Sequence, residues 1–254
     1  MRKRQKFVLT SIVISAAVAG IQLAPLEWRY LLIAALAAST WLMATWSLKE
    51  GLSGIEWLTV PLPSILFTAG VGFFYILLPS NVWLKALIIL LFGLGQYALL
   101  LTSNIFSVAA IRTIALFRAA NAVGFVMTIL TGFFLYNTIL SFRTGFWISA
   151  PLIALVSFLL ILPALWSVEL ESTMQSRVVS YSIWLSLLMA LLSVAVSIWP
   201  ITLAVYSLFL STMLYVFLGI SQHHFSGKLF VKTAWEYVTV GIVVLITMLA
   251  TASI

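Results

Sequence analysis

An all-α bundle of about nine membrane-spanning helices is the fold that the sequence predicts, and three observations predict it. Hydrophobic residues make up 63% of the chain and charged residues 7%, against about 45–50% apolar and about 25% charged in ordinary globular domains. The apolar residues fall into runs near the roughly 20 residues that a helix needs to cross a bilayer. Lys and Arg gather at alternate ends of those runs, as they do where cytoplasmic loops carry the positive charge. The runs and their short connections use up the 254 residues, so a single transmembrane domain over 1–254 is expected.

The first run, about 7–26, follows the basic segment Met1-Arg2-Lys3-Arg4-Gln5-Lys6. Signal peptides begin this way, and Ala17-Val18-Ala19 resembles a cleavage site, but the apolar stretch continues to Leu26 and reads as an uncleaved helix. The second covers about 30–47 and the third about 57–78. Near the start of the third stands Val60-Pro61-Leu62-Pro63, where two prolines remove amide donors and disfavour helix in the residues before them. Continuous helix is therefore expected from Pro63. Either the prolines sit in a first turn, which helices tolerate, or the helix is broken and its freed backbone lines a cavity. The remaining runs are about 82–101, 118–140, 146–166, 178–198, 201–220 and 235–253, with Pro151 and Pro163 near the ends of the sixth.

An odd number of spans puts the termini on opposite sides. With the N-terminus inside, Arg2, Lys3, Arg4, Lys6, Lys49, Arg112, Arg118, Arg177, Lys228 and Lys232 are cytoplasmic, and only Arg29, Lys85 and Arg143 of the thirteen basic residues are outside. Tryptophan favours the membrane interface, and every Trp except Trp41 and Trp184 falls at an expected helix end. The expectation is an integral protein of the cytoplasmic membrane with its C-terminus on the outer side. The net charge of +7 belongs to helix ends rather than to one face, so lipid is the expected neighbour and nucleic acid is not.

Chemistry has few residues to draw on. Cys and Asp are absent, leaving six Glu and two His, which excludes thiolate sites and disulfides and argues against clustered-aspartate magnesium enzymes. Gly-x-Ser-x-Gly, His-Glu-x-x-His and Walker loops are also absent. No catalytic residue, cofactor or metal is expected. His223 and His224, as sequence neighbours, point in different directions and do not chelate one ion, so they read as a solvated loop.

The polar exceptions concentrate between Gln96 and Arg143. Gln96 follows Gly93 and Gly95, and its amide needs a partner inside hydrocarbon; Asn121, expected at a similar depth, is one candidate. Ala120, Gly124, Thr128 and Gly132 recur every four residues, a stripe of small side chains suited to helix packing. Between the fourth and fifth spans, 102–117 reads as an interfacial helix with Arg112 and Arg118 on lipid phosphates. Gln96, Asn121, Thr128 and Glu236 are the substrate-path candidates, and an ion pair with Lys232 is the plainer role for Glu236. These features fit a small-solute or lipid transporter, or a membrane-complex subunit covered by a protein partner or a second copy. The alternative is a lipid-modifying enzyme drawing on Glu50, Glu56, His223, His224 and Glu236 at the cytoplasmic interface.

Overall fold

The computed structural model describes residues 3–49, 51–79, 81–108, 114–171 and 173–251. Among the described residues the regular structure is all α-helix, and nine segments are long and apolar enough to cross a membrane, which is compatible with an integral membrane protein. Two compact units divide the chain, Met1–Met127 and Thr128–Ile254.

The first unit holds α1 (Lys3–Ile21), α2 (Leu26–Leu48), α3 (Glu56–Thr59), α4 (Leu62–Leu77), α5 (Val82–Phe106) and the beginning of α6 (Ile114–Ser141). Its interior is packed by α1, α2, α4 and α5. Local signals place the ends. Asn81 Oδ1 accepts the Trp83 and Leu84 amides and starts α5. Just ahead of α3, Glu56 Oε2 accepts the Ser53 amide at 2.8 Å and the Ser53 hydroxyl at 3.2 Å.

The proline pair falls at a helix start, as helices tolerate: α4 begins at Leu62, one residue before the expected Pro63, with Pro63 in its first turn, and only Val60 and Pro61, both with helical dihedrals, separate it from α3. Pro61 has no amide hydrogen, so the Trp57 carbonyl four residues before it loses its intrahelical donor. Trp41 Nε1 on α2 donates to that carbonyl at 3.2 Å. Ser103 Oγ on α5 donates to the Val60 carbonyl at 3.0 Å. Neighbouring helices thus satisfy the broken turn. Trp41, an exception to the interfacial pattern expected for tryptophan, is the residue that makes this bond.

The second unit holds the rest of α6, then α7 (Phe146–Glu169), α8 (Ser176–Val196), α9 (Leu203–Phe225) and α10 (Val231–Thr251). Pro151 and Pro163 both lie inside α7. Polar pairs cross this unit's interior: Tyr136 and Ser157 hydroxyls at 2.7 Å, Asn137 Nδ2 donating to Ser207 Oγ at 3.1 Å, and Gln222 Nε2 donating to the Ala164 carbonyl at 2.9 Å. Tyr206 also donates to the Ser193 carbonyl. At Gly219 a Cβ would lie 2.2 Å from Tyr237 Cε1, so α9 and α10 approach closely there.

Several helices outrun the apolar runs. Of the stretch 102–117 expected as an interfacial helix, 102–106 continue α5, 114–117 open α6, and 109–113 lie outside the described residues; Thr102 and Ser103 are buried in the first unit and extend the packed face. His223 and His224 form the last turn of α9 rather than a loop. Hydropathy marks what a bilayer tolerates, whereas helices continue past it when their polar side chains find partners.

Candidate functional site

Serine and threonine in apolar helices usually return their hydroxyl to a carbonyl three or four residues back. Ser11, Ser15, Thr40, Thr45 and Thr68 all do so in the first unit. Thr10 and Ser64 do not: both residues have no exposed surface, and neither Thr10 Oγ1 nor Ser64 Oγ has a hydrogen-bond partner in the protein. Gln96 is equally buried, with Nε2 and Oε1 both unpartnered.

Contacts between the helices bring these orphans to one level. On α4 and α5, Ser103 bonds to the Val60 carbonyl, and the Phe67 and Phe92 rings lie 5.3 Å apart. Interpolating between those contacts sets Ser64 opposite the turn that contains Gln96 and Leu99. On α1 and α5, a Cβ at Gly93 would lie 2.9 Å from Ser15 Oγ, which sets Thr10 against the same turn of α5. The three side chains therefore fall within about one helical turn, roughly 5 Å along the axis. These three side chains, two hydroxyls and one primary amide, have both donor and acceptor capacity, and none of the three is ionisable.

Asn121 is not part of it. Its Oδ1 is also buried and unpartnered, so no hydrogen bond joins the two amides. A Cβ at Gly124 would lie 3.5 Å from Thr102, and Phe106 meets Phe117 at 6.1 Å. Asn121 accordingly sits about eight residues, or about 12 Å, from Gln96 along α5. The shared depth expected for the two amides gives way to separate positions because α6 passes α5 in a shifted register.

The other candidates are dispersed. Thr128 is buried and Glu236 is exposed on α10, both in the second unit. Arg118 is exposed on α6, and Arg112 lies outside the described residues. Ala120 is buried; Gly124 faces Thr102 and Phe106, and Gly132 faces Leu214 at 2.8 Å and Leu160 at 3.5 Å from the position of a Cβ. Glu56 is engaged by the Ser53 amide and hydroxyl, and Glu50 lies outside the described residues. His223 Nδ1 is 2.9 Å from the Gly219 carbonyl, while His224 Nε2 turns to Arg177 at 2.8 Å. Among the described residues no three His, Asp or Glu side chains converge as a metal shell would require.

Thr10 and Ser64 were not legible as site residues, since nothing in sequence distinguishes them from the many hydroxyls that bond back to their own helix. Glu169, in the last turn of α7, is a further surprise: its Oε2 is buried without a partner.

Among known proteins, a family model described as a protein of unknown function (DUF5656) matches residues 8–251. No curated protein and no solved structure matches the chain.

Proposed function

The chain belongs to that family, whose description assigns no activity, and we propose that it is a non-catalytic membrane transporter passing a small uncharged, hydrogen-bonding solute through the first unit. One observation carries this reading: Gln96 has no exposed surface and leaves both amide atoms without a protein partner. An amide without a partner in an apolar interior costs several kcal/mol, so it is retained where a polar guest or a task compensates. The unpartnered hydroxyls of Thr10 and Ser64 at the same level add donors and acceptors for such a guest. A neutral set of this kind suits a neutral solute, because an ion stripped of water needs charge or many oriented oxygens to replace its shell. The threading that accompanies this reading has the N-terminus in the cytoplasm and the C-terminus outside, on the bias of Lys and Arg.

The subunit reading has less support, since Gly124 and Gly132 face helices of this same chain. So has the lipid-modifying reading, with Glu56 committed to Ser53 and His224 to Arg177.

Stopped-flow light scattering on proteoliposomes, with urea and glycerol as probes, tests the proposal. The full chain is expected to raise permeability to at least one of them above protein-free vesicles, and Gln96→Leu to return it to background. No rise with either probe, or a rise that survives Gln96→Leu, overturns it.

A further inference from the structure

At the end of the first unit where α1 meets α2, Gln22 organises two cations. Its carbonyl accepts Arg29 Nη2 at 2.8 Å, its side-chain Oε1 accepts Lys85 Nζ at 2.6 Å, and its Nε2 donates to the Tyr75 carbonyl at 3.4 Å. Arg29 Nε also donates to the Ala24 carbonyl at 2.9 Å. Every acceptor around Arg29 and Lys85 in these bonds is a neutral oxygen, and Lys85 Nζ also lies 6.0 Å from the centroid of the Tyr75 ring, so among the described residues no carboxylate pairs with either cation. Glu27, in the same first turn of α2, is exposed and takes part in none of these bonds. Arg29 and Lys85 are also two of the three basic residues that break the positive-inside pattern.

From Lys85 an apolar groove descends between α1 and α5. Its upper part, about 460 Å³, is bounded by Tyr75, Lys85 and Ile89; its lower part, about 530 Å³, runs past Leu90 and Gly93 to Tyr97. Ile89 and Leu90 belong to both, which makes the groove continuous. Ser11 and Ser15 line its floor, but their hydroxyls are spent on the Val8 and Ser11 carbonyls, so the floor asks for no polar guest. At Gly93 the floor is a close approach of the two helices, since a Cβ there would lie 2.9 Å from Ser15 Oγ. From Lys85 to Tyr97 the groove runs about 18 Å at 1.5 Å per residue, close to the hydrocarbon depth of one leaflet, about 15 Å.

We propose that this groove is a binding site for an anionic phospholipid, with its phosphate on Lys85 and Arg29 and one acyl chain lying between α1 and α5 down to Tyr97. Lys85 at the mouth, with Arg29 joined to it through Gln22, and hydrocarbon walls below match the two halves of that molecule. The site stands on different residues from the Gln96 level and does not depend on solute transport.

The test is native mass spectrometry of the full chain, extracted from vesicles of equal phosphatidylcholine and phosphatidylglycerol. The wild type is expected to retain one phosphatidylglycerol in preference to phosphatidylcholine. Lys85→Gln removes one charge-assisted contact and should lower the lipid-bound fraction about tenfold, while Lys85→Arg keeps it. Leu90→Trp, introduced from the exposed wall, should displace the chain, and Lys49→Gln, a cation outside the groove, should change nothing. Equal retention of both lipids, no retained lipid, or binding unaffected by both Lys85→Gln and Leu90→Trp overturns the proposal. So does a dimer that Leu90→Trp dissociates with lipid binding intact, because a second copy would then be the occupant.

Discussion

Trp41 Nε1 donates to the carbonyl of Trp57 at 3.2 Å, and Pro61 is the reason that carbonyl is free. The bond ties α2 to the interrupted third span and turns a proline break into a helix–helix contact. Trp41→Phe keeps an aromatic ring and removes the donor, so the lost bond should destabilise the chain by about 0.5–1.5 kcal/mol. Pro61→Ala restores a backbone donor four residues after Trp57, and in that background the Trp41→Phe penalty should largely vanish. Unfolding in mixed micelles of the single and double variants measures the coupling; equal penalties in both backgrounds would separate Trp41 from the proline.

Tyr136 is wholly buried and its hydroxyl meets Ser157 Oγ at 2.7 Å. Ser157→Ala strands that hydroxyl and should cost about 1–3 kcal/mol, whereas Tyr136→Phe removes the need along with the group and should cost less. The double variant is expected to resemble Tyr136→Phe alone. The same micelle unfolding assay ranks the three, and a Ser157→Ala penalty no larger than that of Tyr136→Phe would contradict the assignment.

A Cβ at Gly219 would sit 2.2 Å from Tyr237 Cε1. Gly219→Ala should therefore push α10 from α9 and destabilise the second unit by about 1–3 kcal/mol. Trimming the obstacle with Tyr237→Leu should rescue much of the loss. Proteolysis of the C-terminal helix in detergent gives the readout; the clash account fails if Gly219→Ala is equally sensitive with and without the second change.

The proposed threading makes its own prediction. Alkaline phosphatase fused after Ile254 in a bacterial host should be active, and a fluorescent protein at the same point should stay dark, since ten of the thirteen basic residues lie on the side assigned to the cytoplasm. The reverse pattern would invert the bundle.

Sequence carried the helical class and the location of the spans because a bilayer-length apolar run has few alternatives. It carried helix ends poorly, as His223 and His224 illustrate: apolar content falls there, yet α9 continues to Phe225 with both rings partnered to neighbouring helices. The break at Val60-Pro61 was readable from proline chemistry, but its repair by Trp41 and Ser103 depends on contacts 16 and 43 residues away in sequence. Gln96 stood out as an amide in hydrocarbon. Its companions did not, because the distinction between Ser64, which leaves its hydroxyl unpartnered, and Ser15, which bonds to the Ser11 carbonyl, lies in rotamer and register. Pairing Gln96 with Asn121 failed for the related reason that depth along two helices depends on how they slide past each other.

At the Gln96 level the lost amide should cost the fold nothing. Gln96→Leu removes two unpartnered buried atoms, so stability should hold or rise by about 1 kcal/mol, while permeation disappears. A drop of several kcal/mol in micelle unfolding would mean instead that the amide is structural.

Water access to that level is the most direct test. The chain has no cysteine, so Ser64→Cys supplies a single labelling position, with Leu90→Cys on the exposed apolar face as the control. In sealed vesicles, hydroxyethyl methanethiosulfonate, a neutral hydrogen-bonding reagent, should modify Ser64→Cys well above the control, and more slowly once Gln96→Leu is added. A Ser64→Cys as inert as Leu90→Cys would contradict a polar path through the first unit.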